Sequence, residues 1–180
     1  DQKSKKMARH YRRENPDAIL VICGCSSENN KNAYEEVQPQ ILLGNRKKSE
    51  IVNLLETYFK THEKYQFFAG TRKLSFEDMQ IEKFTTHTRA FVKIEDGCDN
   101  FCSYCVIPYV RGSIRHKDFD TVLKEVETLV FHGHQEIVFT GIHTGSYQSS
   151  NGKDLTDLIH EVSKFEGLKR IRISSIEITE

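Results

Sequence analysis

The sequence predicts an α/β protein built on parallel strands. Three features carry that expectation. Residues 18–23, AILVIC, form an unbroken apolar run of strand length, the pattern of a strand buried on both faces. From residue 89 onward, apolar runs alternate with stripes at helical spacing, in the order strand, loop, helix, strand, helix, strand. With 180 residues, 37% hydrophobic and 29% charged, the composition is that of a globular domain rather than a disordered chain.

Residues 3–14 read as a helix, stopped by Asn15-Pro16, because the residue before proline is pushed out of helical geometry. Gly24 ends the AILVIC strand. Ile41, Leu42 and Leu43 form a second short strand, closed by Gly44 and Asn45. Ser49 is placed to cap a helix whose Ile51, Leu54, Leu55, Tyr58 and Phe59 share one face. Residues 61–88 have no clear period and read as a connection. Ala90, Val92 and Ile94 then alternate with Arg89, Phe91 and Lys93 as a strand. Phe119, Val122, Leu123, Val126, Leu129 and Val130 make an amphipathic helix. Residues 136–141, EIVFTG, read as a strand, and Leu155, Leu158, Ile159 and Val162 as a second helical stripe. Residues 170–176 read as a third strand. The expected organisation is a first α/β unit over 1–60, a connection over 61–88 and a second unit over 89–180. Three strands are too few to close a (β/α) barrel, so the second unit reads as the first part of one. The chain begins at Asp1 and ends at Glu180 just after an apolar run, and is expected to be a fragment.

Twenty-six basic residues balance twenty-six acidic ones, so global charge does not argue for nucleic-acid binding. Three local groups stand out. Lys3, Lys5, Lys6, Arg9, Arg12 and Arg13 crowd the N-terminus. Arg46, Lys47 and Lys48 form a second group, and Arg111, Arg115, His116 and Lys117 a third. Runs of this kind are expected to be solvated faces. No apolar run reaches membrane length, and the charged N-terminus is no secretory signal. Five cysteines, three of them within eight residues, do not fit a framework of spread disulfide pairs. They fit metal ligands in a reducing compartment, the cytoplasm.

The central motif is GCDNFCSYCVIPYVRG, residues 97–112, with Cys98, Cys102 and Cys105 spaced C-x3-C-x2-C. That spacing lets three thiolates converge on one inorganic cluster. Three ligands for a cubane of four irons leave one iron open to a substrate. A structural zinc site wants a fourth Cys or His, and the nearest, His116, lies eleven residues on. The loop follows one strand and precedes a helix, which puts it at the C-terminal edge of a parallel sheet, where such folds hold active sites.

This C-x3-C-x2-C pattern, with an aromatic Tyr104 before the third cysteine, resembles the radical S-adenosylmethionine (SAM) superfamily. Residues 87–117 as a whole resemble its methylthiotransferases, which attach a methylthio group to tRNA or to a ribosomal protein. FTGIHTGSY, residues 139–147, looks like the bacterial subgroup acting on N6-threonylcarbamoyladenosine at tRNA position 37. VICGCSSE (21–28), LLGNRKKSEIVNLLE (42–56) and IRISSIEITE (171–180) extend the likeness over nearly the whole chain. Isopentenylated adenosine or a ribosomal-protein aspartate are the alternative targets. A non-catalytic metal- or RNA-binding module is the alternative of another class.

The resemblance implies a partial N-terminal methylthiotransferase domain followed by the first part of a radical SAM partial barrel. It implies a 4Fe-4S cluster on Cys98, Cys102 and Cys105 that cleaves SAM to a 5′-deoxyadenosyl radical. That radical takes hydrogen from C2 of the adenine. It implies a second, auxiliary cluster in the full-length enzyme, for which Cys25 is the matching ligand here. The isolated chain is therefore expected to hold the radical site without the full activity. Cys23 is not a family ligand position. On a strand it shares a side with Cys25, which leaves a substitute ligand as the alternative, and a buried inert thiol is its expected role. Tyr104 is implied near the adenine of SAM. Gly141, Ile142 and His143 follow a strand at its C-terminal edge, where glycine permits close backbone approach, and are expected to meet the methionine part of SAM, with Ser174 and Glu177 at the third strand as further SAM contacts. Arg111 and Arg115 lie beside the cluster motif, where tRNA phosphates are one expected partner and a cluster-loop salt bridge or solvent the alternative. The partners implied are tRNA and an electron donor. No catalytic residue is implied outside the clusters.

Overall fold

The computed structural model describes residues 1–70, 75–84 and 88–176. The chain forms two compact units, Asp1–Lys73 with Cys102–Gly112, and Leu74–Phe101 with Ser113–Glu180.

In the first unit, helix α1 (Gln2–Glu14) leads to strand β1 (Val21–Ile22), helix α2 (Cys25–Asn29), a 3-10 turn at Lys31–Val37 and strand β2 (Ile41–Leu43). Helix α3 (Ile51–Thr61) and strand β3 (Tyr65–Phe67) follow. The three strands are parallel, in the order β1-β2-β3. Ala8, Tyr34, Val37 and Leu42 form the buried cluster, with Leu20, Ile22, Ala33 and Phe68 packed against it. Arg12, read from sequence as part of a solvated group, is a structural tie. Its guanidinium donates to the carbonyls of Pro16 and Ala18 at 2.9 Å and of Val37 at 3.0 Å, and to Gln40 Oε1 at 3.1 Å. These bonds hold the end of α1 to the approaches of β1 and β2.

Five local expectations are corrected by the structure. The first strand is two residues long, because Gly24 turns the chain at a φ of 130° and α2 begins at once. Cys25 is thus a helix residue, and the alternation that put it on one side with Cys23 does not operate. Cys23 itself is exposed, not buried. Ser49 does not cap α3, since it lies inside a 3-10 turn, Lys48–Glu50, and the helix starts after Glu50. Of the predicted apolar face of α3, Phe59 stays exposed.

In the second unit, strand β4 (Arg89–Lys93) is followed by the short strand β5 (Glu95–Asp96), which pairs antiparallel with β6 (Arg115–His116). Helix α4 (Ile107–Arg111) lies between them in sequence and belongs to the first unit. Helix α5 (Phe119–Phe131), strand β7 (Glu136–Thr140), helix α6 (Leu155–Val162) and strand β8 (Arg170–Ile173) complete the unit. Strands β4, β7 and β8 are parallel neighbours in that order, as the alternating pattern predicts. The third ends three residues earlier than residue 176. Asp118 caps α5 by accepting from the Thr121 amide, and Asp154 with Asp157 forms a capping box on α6. Ala90, Val92, Ile137 and Phe139 face Phe119, Val122, Val126 and Leu129 of α5 and Leu155, Leu158 and Val162 of α6. Phe91, Val138 and Arg172 lie in register on the other face.

A buried ion pair sits under this core. Lys117 Nζ lies 2.6 Å from Glu125 Oε2 and 2.7 Å from Asp78 Oδ1, and Tyr147 donates its hydroxyl to the Lys117 carbonyl. Burial pushes the Tyr147 hydroxyl well above the ordinary phenol range. Lys117→Met leaves the buried Glu125 carboxylate without its cation. It is expected to lower unfolding stability by about 3–5 kcal/mol in urea titration. An unchanged midpoint would show that the pair contributes nothing.

Candidate functional site

The cysteine loop starts at the end of β5. Gly97 takes a φ of 91°, open to a residue without Cβ, and Phe101 takes 47°, a left-handed conformation that costs an L residue about 1 kcal/mol or more. Asp99 accepts from the Ile114 amide at 3.0 Å, closing the loop's stem in the second unit. Cys98 is buried, and its sulfur accepts the Asn100 amide at 3.5 Å. Backbone N–H donors to sulfur are a recurring feature of iron–sulfur ligation and help set its potential.

Cys102 and Cys105 belong to the first unit. Cys102 is exposed and Cys105 half-buried, and the Cys105 amide donates to the Cys102 carbonyl at 2.9 Å. Helix α4 then begins, with Pro108 near its start and Gly112 ending it, and it packs on α2. Cys25 opens α2, so Cys25, Cys102 and Cys105 share one unit. Cys23 and Cys25 line one cleft of about 500 Å³ with Met7, Tyr11, Ile22 and Tyr34.

Among the described residues, no three His, Cys, Asp or Glu side chains are grouped to hold a metal. The structure therefore does not bring the three cysteines together as ligands. Their chemistry still fits an iron–sulfur cluster. All five cysteines are free thiols, the donor type such clusters take, and the neighbouring Asp99 carboxylate is committed to the Ile114 amide.

The other sequence-predicted residues fall as follows. Tyr104 is almost wholly exposed, at 90%. Ser174 lies just beyond β8, and its hydroxyl donates to the Phe139 carbonyl at 3.2 Å. Glu177 lies outside the described residues. Arg115 is not a solvated charge: its side chain is 9% exposed and pairs with the buried Asp96 at 3.3 Å. Arg111 is half-buried, and its carbonyl accepts from the buried Arg46 guanidinium at 2.9 Å. Gly141, Ile142 and His143 form the turn after β7.

That turn shows a residue the sequence reading missed. Glu95 is fully buried. Its Oε2 accepts the amides of Ile142 at 2.5 Å and of His143 at 2.7 Å. A Cβ on Gly141 would stand 2.5 Å from the same oxygen. The available signal is an acidic residue at the end of an apolar alternating strand, followed one strand later by a Gly turn. Burial raises the Glu95 carboxyl above its ordinary range, against the lowering effect of the two amides.

A model of the radical SAM superfamily matches residues 92–180. The threonylcarbamoyladenosine tRNA methylthiotransferase MtaB of Bacillus subtilis is 35% identical over 188 residues, covering 100% of this chain and 41% of that protein. The protein of the same name from Aquifex aeolicus is 33% identical, over 100% of this chain and 44% of its own length. The chain belongs to the radical SAM superfamily, in its MtaB-like methylthiotransferase family. The tRNA-2-methylthio-N(6)-dimethylallyladenosine synthase of Carboxydothermus hydrogenoformans is 31% identical over 91% of the chain and 38% of that relative. The chain thus spans about two fifths of the curated relatives it matches. Membership of the radical SAM superfamily implies a 4Fe-4S cluster and SAM in general terms. Among the described residues no helix is long and apolar enough to cross a membrane.

The raised Glu95 carboxyl makes a pH prediction. Because the folded state holds the proton more tightly, this group's contribution to stability is full below the ordinary carboxyl value of about 4.3. It is lost as pH rises through the raised folded value. Glu95→Gln removes that loss, so its stability relative to wild type is expected to increase from pH 4 toward pH 8 in denaturant titrations. A constant difference across that range would contradict the shift.

Proposed function

We propose that this chain is the radical-generating part of a tRNA methylthiotransferase acting on C2 of N6-threonylcarbamoyladenosine at position 37. The observation that carries the reading is the C-x3-C-x2-C run of Cys98, Cys102 and Cys105, which follows the parallel strand β4 and the short β5 and lies inside the stretch matched by the superfamily model. The names of the MtaB relatives support the substrate. When bound, a 4Fe-4S cluster and SAM supply a carbon radical able to take hydrogen from an unactivated ring C–H, a bond that acid–base chemistry does not open.

The chain's own residues then have these roles. Cys98, Cys102 and Cys105 hold the SAM-binding cluster, and Cys25 is a ligand of a second, auxiliary cluster. The exposed ring of Tyr104 is free to lie against the adenine of SAM. The turn Gly141–His143 meets the methionine part through its backbone, and Ser174 and Glu177 flank it. Arg111 is a phosphate contact for tRNA, whereas Arg115 is a strut that holds the cluster loop to Asp96. An external one-electron donor completes the set, and the protein works in the cytoplasm.

Two measurements test the reading. Anaerobic reconstitution with iron and sulfide is expected to load about four irons per chain. Cys98→Ala, Cys102→Ala and Cys105→Ala are each expected to abolish the iron–sulfur absorption. Tight zinc binding with no such chromophore would sink the proposal. Mass spectrometry of tRNA nucleosides from cells lacking the gene is expected to show loss of the methylthio derivative of N6-threonylcarbamoyladenosine. Loss of the isopentenyladenosine derivative instead would reassign the substrate.

A further inference from the structure

We propose that Glu95 is a positioning residue for SAM: its buried carboxylate fixes the backbone of the turn Gly141–His143 at the end of β7. The inference rests on the radical SAM reading above, which sets that turn against the methionine part of SAM.

Strand β7 ends at Thr140, and its ladder with β4 runs one step further through the Ile94 amide, which donates to the Thr140 carbonyl at 2.9 Å. Beyond that point, among the described residues, the amides of Ile142 and His143 have no strand partner. Glu95 takes two of them on one oxygen, from Ile142 at 2.5 Å and His143 at 2.7 Å. Bonds of this charge-assisted kind are roughly twice as strong as neutral ones.

The fit is also steric. Gly141 has no Cβ, and one would stand 2.5 Å from Glu95 Oε2 and 2.9 Å from Thr144 Cγ2. The turn and the carboxylate thus occupy the closest approach that only glycine allows. The turn is held from the other side as well, where Thr144 donates both its amide, to the Ser175 carbonyl, and its hydroxyl, to the Ser174 carbonyl. Glu95 on one side and the residues just past β8 on the other thus hold the turn from both sides. Preorganisation of this sort lowers the ordering cost that a ligand otherwise meets.

The cost to the protein is visible at the other oxygen. Glu95 Oε1 is buried with no hydrogen-bond partner among the described residues. A buried, half-satisfied carboxylate is an expensive way to fill space. An apolar residue in its place would pack without that cost but would leave the Ile142 and His143 amides unpaired. The carboxylate is explained by what it holds.

The test uses the anaerobically reconstituted protein with SAM and a chemical reductant, and reads 5′-deoxyadenosine. Glu95→Ala is expected to raise the KM for SAM at least about tenfold while kcat at saturation stays within about twofold. Iron content is expected to stay at the wild-type value. Amide hydrogen exchange is expected to lose protection at Ile142 and His143. Glu95→Gln, which keeps one acceptor oxygen, is expected to restore both the protection and most of the affinity. Gly141→Ala is expected to resemble Glu95→Ala. If Glu95→Ala does not fold, Glu95→Asp, one methylene shorter, is read in its place with an intermediate KM.

A loaded variant with wild-type KM would overturn the positioning role and leave the radical SAM reading standing. So would a KM that rises in Glu95→Gln as much as in Glu95→Ala. A wild-type protein that takes up no iron would overturn the radical SAM reading itself and this role with it.

Discussion

The fold of each unit depends on a buried carboxylate that gathers backbone amides just past the ends of parallel strands. In the first unit Glu28 accepts the Asn45 amide at 2.9 Å and the Gly70 amide at 2.6 Å, so one side chain on α2 joins the exits of β2 and β3. In the second, Glu95 does the same for the exit of β7. In both, a glycine lies under the carboxylate. A Cβ on Gly44 would stand 1.5 Å from Glu28 Oε2, closer than any real contact, as one on Gly141 would crowd Glu95. A parallel sheet has this need built in. Its strands all leave at one edge, and the amides of the exit loops have no ladder to join. That edge is where parallel α/β folds bind ligands, so the group that satisfies the amides also shapes the site.

This explains which parts of the fold the sequence made legible. Helices α5 and α6 and strand β4 follow from periodicity, because burial on one face imposes a repeat that a short window contains. Arg89–Lys93 alternates as the pleat demands, and Phe119–Phe131 carries its apolar stripe at helical spacing. The failures have a different cause. AILVIC has the composition of a six-residue strand, yet it is cut to two residues by the turn at Gly24 and the pairing available from β2. Whether Ser49 caps a helix depended on the 3-10 turn that absorbs it. These outcomes are decided by tertiary neighbours, which no local window holds.

The charged groups make the same point more sharply. Arg12, Arg46, Arg115 and Lys117 all sit in clusters that read as solvated faces. Each instead spends its donors on the protein. Arg12 binds four carbonyls and an amide oxygen, Arg46 a carbonyl, Arg115 the buried Asp96, and Lys117 both Glu125 and Asp78. A run of basic residues has the same composition whether it faces water or caps carbonyl groups. Only the partners distinguish the cases, and they lie as far as 65 residues away in sequence, for Arg46 and Arg111. A tRNA-binding surface therefore cannot be drawn by collecting lysines and arginines. Arg115 shows the error such a map would make.

The cysteine motif is legible for the opposite reason. Its information is covalent: a spacing of three and two residues fixes how far apart the thiols can be, whatever the rest of the chain does. What the spacing does not contain is how the loop is held. Cys98 is fixed within the second unit, by burial and by the stem bond from Ile114 to Asp99. Cys102 and Cys105 are fixed within the first, by their own turn and by α4 packed on α2. Phe101, which ends the second unit's part of the loop, takes a left-handed conformation. A short motif can name the chemistry of a site because that chemistry needs only its donors. The residues that hold the donors and the adjoining turn, Asp99 and Glu95 foremost, carry no motif, since any residue able to accept an amide at the right place would have served.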